Sequence, residues 1–234
     1  MMLILTISFI SSPVFKFYGR FSVSFNLQDI LYKIRKLEQE KHRREPNVYW
    51  ITDLIRCPLK REYEFKYPEL LIGEIFEPRF LLGELVHLGL RSTLLWAKEN
   101  KLLEGEIEAE VEGEKELDIG DKKISIKGRI DLILTFNGKR IGYEVKYVRT
   151  DTGIPYEHHK LQARLYQWLL NLDEVYLIYI TPERVAEYNL NNERISDLDI
   201  IAIVREQVIK TKVPRWPWEC RYCPFSVMCS YKKV

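Results

Sequence analysis

Apolar residues recur at helical spacing over residues 27–45. Leu27, Ile30, Leu31, Ile34 and Leu37 fall on one face there, which predicts an amphipathic helix ended by Pro46 and Asn47. Thr52 reads as the N-cap of a short helix carrying Cys57, with Pro58 perturbing it. Pro78 stands where a first helical turn tolerates proline. A long helix containing Gly83 and His87 is expected from there to about Asn100. The period then changes. Ile107, Ala109 and Val111 alternate with glutamates, and Ile124 and Ile126 with polar residues, as in half-buried strands. Two β-rich runs, 129–136 and 139–146, flank Asn137-Gly138, the strongest short hairpin signal. Residues 160–171 read as a helix and 175–181 as a buried strand. Ser196 with Asp199 makes a capping box for a helix to about Lys210. This order predicts a mixed α/β fold, with a central mixed sheet flanked by helices.

The hairpin permits a geometric deduction. If Asn137-Gly138 is a two-residue loop, Phe136 faces Lys139, and counting back sets Asp131 opposite Glu144. Opposed residues project to one face, with Cβ atoms roughly 4.5–5.5 Å apart. Lys146 shares that face, while Ile141, Tyr143 and Val145 take the other. Two adjacent carboxylates repel unless a proton or cation intervenes, and hard divalent ions such as Mg²⁺ or Mn²⁺ take such ligands. The bland alternative is a surface salt bridge between Glu144 and Lys146.

Composition narrows the class. Nearly half of the 234 residues are apolar, so a real core is expected and disorder is not. A net charge of +2 does not by itself mark a nucleic-acid binder. Local basic runs are Lys41-His42-Arg43-Arg44, Lys60-Arg61 and Lys232-Lys233, each more simply read as a solvated face. The start, Met-Met-Leu-Ile-Leu-Thr-Ile-Ser-Phe-Ile, resembles a signal-peptide core without the preceding basic residues. Residues 1–26 are read as an edge strand or an upstream extension, and no segment is expected to span a membrane. A cytoplasmic location follows, and disulfides are then not expected. Cys57 stands apart from Cys220, Cys223 and Cys229, which form Cys-x2-Cys-x5-Cys. On count alone four thiolates suit Zn²⁺ or an iron–sulfur cluster equally. Such a site would tie the N-terminal helices to the 216–234 tail.

Taken together, Gly83-x3-His87, Gly128-Arg-Ile-Asp131, Glu144-Val-Lys146, Gln162-x3-Tyr166 and the one-plus-three cysteines resemble the RecB-like nucleases of the PD-(D/E)XK superfamily. The similarity is to the iron–sulfur, CRISPR-associated exonucleases of that group, archaeal members above all. It covers about residues 27–234, read as one nuclease domain. The resemblance implies a restriction-endonuclease-like core in which His87, Asp131, Glu144 and the main-chain carbonyl of Val145 bind Mn²⁺ or Mg²⁺. It implies that Lys146 positions or activates water, and that Gln162 and Tyr166 complete the site and contact DNA. It implies a [4Fe–4S] cluster, or less often [2Fe–2S], on the four cysteines. Family members are single-strand DNA exonucleases, mostly 5′→3′, that help trim new spacers beside integrase proteins, and some form rings. Tyr147, Tyr156 and Tyr166 are near enough in sequence to stack on bases. The rival readings are a repair or recombination nuclease of the same superfamily, a DNA-binding adaptor subunit of an integration complex, and a zinc-stapled protein.

Overall fold

A computed structural model describes residues 26–41 and 45–233. Residues 1–25 of the stretch read as an N-terminal extension, and residues 42–44 of the first basic run, lie outside that range.

The predicted amphipathic helix is present as α1 (Leu27–Lys41). A short strand β1 (Val48–Trp50) then leads into α2 (Ile51–Leu54). Thr52 is not the cap of this helix. Trp50 holds that position, and its N–H donates to Asp53 Oδ2 at 3.0 Å. Cys57 lies just outside α3 (Pro58–Lys66), whose first position is Pro58, so the proline starts this helix rather than disturbing it. A 3₁₀ turn and α4 (Ile72–Ile75) lead to the long helix α5 (Pro78–Glu99).

Strands β2 (Glu106–Ile119) and β3 (Lys122–Phe136) form one long antiparallel pair turned at Gly120-Asp121. Strand β4 (Lys139–Tyr147) returns through Asn137-Gly138, where φ values of 50° and 76° mark the left-handed turn expected of Asn-Gly. Phe136 pairs with Lys139, as the loop length predicted. Helix α6 (Glu157–Leu169) crosses to β5 (Glu174–Ile180), which pairs parallel with β4. Strand β6 (Val185–Asn189) closes that edge, and α7 (Asp197–Ile209) and α8 (Glu219–Tyr222) end the described chain. The mixed sheet flanked by helices is the predicted architecture.

The arrangement around β3 places the site. Its pairing with β2 takes one edge from Lys122 to Thr135, broken only at Asp131, so β1 and β4 must share the other edge. The parallel partner β1 takes Ser125–Lys127, and β4 takes Leu132–Phe136. Residues 128–131 lie at the fork between them. Helix α6 covers this region closely. A Cβ at Gly128 would stand 2.7 Å from Ile51 Cγ1 and 2.8 Å from both Leu169 Cδ2 and Tyr166 Cε1, so the glycine of Gly128-Arg-Ile-Asp131 is a packing requirement. Around it Ile51, Leu54, Ile124, Ile126, Ile130, Leu165, Leu177 and Tyr179 are fully buried in one core. No described helix is long and apolar enough to cross a membrane.

Candidate active site at the strand fork

Asp131 sits at the fork, and its surroundings are irregular on both sides. On β2, Ala109 pairs with Leu132 and Val111 with Ile130, but Glu110 between them has φ 53° and pairs with nothing in the ladder. On β4 the ladder stops at Leu132–Tyr143, one step short of the Asp131–Glu144 pair that the count predicted. The side chain of Asp131 fills the interrupted step, because Oδ2 accepts the N–H of Val145 at 2.7 Å. In an extended strand the N–H and C=O of one residue point the same way. The Val145 carbonyl therefore faces the fork as well.

Helix α5 brings His87 to the same place, with Nδ1 2.9 Å from Asp131 Oδ1. Burial pulls the imidazole pKa down, but the Asp131 carboxylate outweighs it and the net shift is upward. Glu144 is 3% exposed and accepts from Lys146 Nζ at 2.7 Å. Glu144 is buried and Lys146 partly so, which is not the surface salt bridge of the bland reading. Burial, then the nearby Asp131 charge, push the Glu144 carboxyl pKa up, and Lys146 and His87 oppose that only partly. Its second oxygen, Oε2, is buried with no hydrogen-bond partner.

Gln162 and Tyr166 do share a face of α6, and Gln162 Nε2 donates to the Tyr166 hydroxyl at 3.3 Å. Both are 4% exposed, so Tyr166 is no platform for a base. Burial, then the Glu144 charge, raise the phenol pKa well above its usual value. Tyr156 stands half-buried against His158 and His159. Those two histidines had no role in the sequence reading, although they lie on the same helix as Gln162. His159 Nδ1 is 2.9 Å from the Tyr179 hydroxyl, and His158 packs against Trp218 of the tail. Burial and then the Lys146 charge hold their pKa values down, to about 4 for His158 and about 2 for His159. Lys60 and Arg61 are structural. Lys60 pairs with Glu74, while Arg61 lies over the Tyr49 ring and donates to the Val48 carbonyl.

The four cysteines, all unpaired, line a single cavity of about 150 Å³ between α3 and the tail. Among the described residues, no group of three or more His, Cys, Asp or Glu side chains stands as a ready-made metal cage, at the cysteines or at the fork. The thiols instead surround a space. Protein bonds already join its two sides. Glu219 accepts the N–H of Cys57 at 2.7 Å and that of Trp216 at 2.8 Å. The Trp216 indole donates to the Ile55 carbonyl at 2.7 Å, and Gln207 donates to those of Leu54 and Arg56. The sequence gives no sign of Glu219, because a glutamate before a cysteine carries no pattern of its own.

Known proteins supply the wider context. The family model described as the PD-(D/E)XK nuclease superfamily matches residues 74–230. The CRISPR-associated exonuclease Cas4 of Saccharolobus solfataricus is 41% identical over 202 residues, covering 85% of this chain and 95% of that protein. The crystal structure of SSO0001 superposes with a TM-score of 0.82 at 39% identity, covering 89% of this chain and 98% of that one. Superfamily members use divalent metals. The chain therefore belongs to the CRISPR-associated, RecB-like exonucleases of the PD-(D/E)XK superfamily and is a DNA nuclease.

Proposed function

We propose that the chain is a metal-dependent single-strand DNA exonuclease of 5′→3′ polarity that trims spacer precursors in CRISPR adaptation. The observation that carries the catalytic part is the unpartnered, buried Oε2 of Glu144 beside Asp131 and His87 at the fork. A buried carboxylate oxygen without a donor is costly, and a cation offsets that cost. His87, Asp131, Glu144 and the Val145 carbonyl form a nitrogen-and-oxygen donor set that suits Mn²⁺ and also accommodates Mg²⁺. The ion would supply Lewis-acid polarisation of the scissile phosphate and acidify a water molecule. Lys146 orients that water and balances phosphate charge, its ammonium held in place by Glu144. Tyr166 and Gln162 back the Glu144 side of the site and keep bulk water from it.

Single-strand preference, polarity and the adaptation role rest on family resemblance and on the CRISPR-associated exonuclease named above. Cys57, Cys220, Cys223 and Cys229 hold an iron–sulfur cluster, [4Fe–4S] in our reading. Four thiols lining one cavity of about 150 Å³ leave room for a multi-iron group. Integrase proteins and further copies of the chain are the expected partners, and the cytoplasm the expected location. Incubating an end-labelled single strand with purified protein tests the reading. Mn²⁺-dependent loss of nucleotides from the 5′ end is expected. Cleavage that survives chelation, or purely internal cutting, overturns it.

A further inference from the structure

Beside the fork lies a cluster that none of the assigned roles uses. Arg91 is one turn beyond His87 on α5, so the two side chains lie on one side of the helix. Its Nη1 donates to Glu110 Oε2 at 2.9 Å. Arg129, two residues before Asp131, stands with Nη2 3.6 Å from the other oxygen, Glu110 Oε1. One carboxylate thus sits between two guanidinium groups from different elements. All three side chains are open to solvent: 43% for Arg91, 47% for Glu110 and 37% for Arg129. Arg129 is also near enough for its charge to act on Tyr166 within the site.

The backbone at Glu110 sharpens the point. Its φ of 53° is left-handed, a conformation that disfavours any residue but glycine, and it occurs within a long strand, opposite Asp131. Nothing in the sheet rewards it, since the ladder skips this residue. Such strain gathers at functional sites. Two forked donors aimed at one anionic group are the arrangement that recognises a phosphate, and a carboxylate imitates one in charge and geometry.

We propose that Arg91 and Arg129 clamp a DNA backbone phosphate next to the scissile one, and that Glu110 occupies the clamp as an internal phosphate mimic until DNA displaces it. The inference rests on the fork being the nuclease site. It makes the two arginines substrate-positioning residues and Glu110 a brake on binding. The ligand class is the phosphodiester backbone, without base readout, as expected of an enzyme that degrades strands of any sequence.

Binding of a fluorescently labelled single-stranded oligonucleotide, followed by anisotropy in EDTA over a range of salt, tests the clamp separately from cleavage. Arg91→Ala and Arg129→Ala should each weaken binding about tenfold, as expected for losing a charged hydrogen bond. Each should also make the slope of log K against log salt shallower by about 0.7, the value for one single-strand phosphate contact. Arg91→Lys should restore the slope. Glu110→Gln should tighten binding. In Mn²⁺ the arginine variants should lose more in KM than in kcat. Unchanged affinity and slope in both arginine variants overturn the proposal, as does Glu110→Gln weakening binding like them, which would mark a purely structural triad. Failure of the nuclease reading looks different: the wild type would then leave DNA intact in Mn²⁺ while the arginine effects on binding persist.

Discussion

Gly128 gives the sharpest test of how the site is packed. Replacing it with alanine puts a methyl carbon 2.7–2.8 Å from Ile51, Leu169 and Tyr166. Leu169 is 4% exposed, Tyr166 is 4% exposed and Ile51 is fully buried, so none of the three has free space to move into. Overpacking of this kind costs about 1–3 kcal/mol. In a chain of this size each kcal/mol lowers the melting temperature by roughly 2–4 °C, so Gly128→Ala should melt about 2–12 °C below the wild type. Gly83 is the control. It lies within α5 and an added Cβ there meets nothing within 4 Å. Gly83→Ala should therefore stabilise by about 0.5–1 kcal/mol through the unfolded chain's lost freedom. Scanning calorimetry of the two variants should show shifts of opposite sign. Because Tyr166 backs Glu144, Gly128→Ala should also lose nuclease activity at temperatures where it remains folded. A Gly128→Ala melting temperature within a degree of wild type would refute the packing argument, and with it the claim that α6 is pressed onto the fork.

Asp131→Ala and Glu144→Ala should each abolish cleavage and weaken Mn²⁺ binding, and the double variant should be little worse than either, because both act through one ion. Calorimetric Mn²⁺ titrations in which the two losses simply add would separate them. His158 and His159 have folded pKa values below that of a free histidine, so the unfolded chain binds more protons in acid and stability falls as pH drops. The loss begins near the free value of about 6.5 and continues towards 4 for His158 and lower for His159. Urea denaturation at several pH values should show this slope, and His158→Gln should flatten its upper part; an unchanged slope would mean that the histidine is not buried neutral. Cys57→Ser should lose the visible absorbance of an iron–sulfur cluster, with measured iron falling in step. The segment should nevertheless stay docked, because Glu219 holds the Cys57 backbone and Trp216 holds Ile55. Full retention of iron and colour would remove Cys57 from the ligand set, and native-state hydrogen exchange showing residues 51–66 released would contradict the docking.

Periodicity and turn chemistry carried much of the fold. Asn137-Gly138 alone fixed the β3–β4 register, because only such a pair accepts two successive positive φ values cheaply. Strands too short or too polar to carry a period escaped. Strand β1 has three residues, and β6, Val-Ala-Glu-Tyr-Asn, has no run of apolar positions. Thr52 attracted the cap assignment because hydroxyl residues favour that position. The chain instead starts the helix at Ile51, with Asp53 satisfying the Trp50 N–H.

The candidate site was legible as residue types in order, since Asp131, Glu144, Lys146 and His87 do converge. Their environment was not. Nothing local to the sequence announces that Gln162 and Tyr166 lie on the buried face of α6, where they form part of the wall behind Glu144. The Glu110–Arg91–Arg129 cluster joins three elements and depends on a backbone irregularity that no local pattern announces. Glu219 escaped for the same reason, its partners lying as far as 162 residues away along the chain.

The central claim is that the fork is a metal-dependent nuclease site with Lys146 at its heart. One experiment meets it directly: degradation of a 5′-labelled single strand by wild type and Lys146→Ala, with Mn²⁺ and with chelator, alongside Mn²⁺ binding to both proteins. The account predicts Mn²⁺-dependent release of labelled nucleotides by the wild type alone, with Mn²⁺ binding largely kept in the variant. Cleavage by Lys146→Ala within a few-fold of wild type, or wild-type cleavage indifferent to chelation, would contradict it.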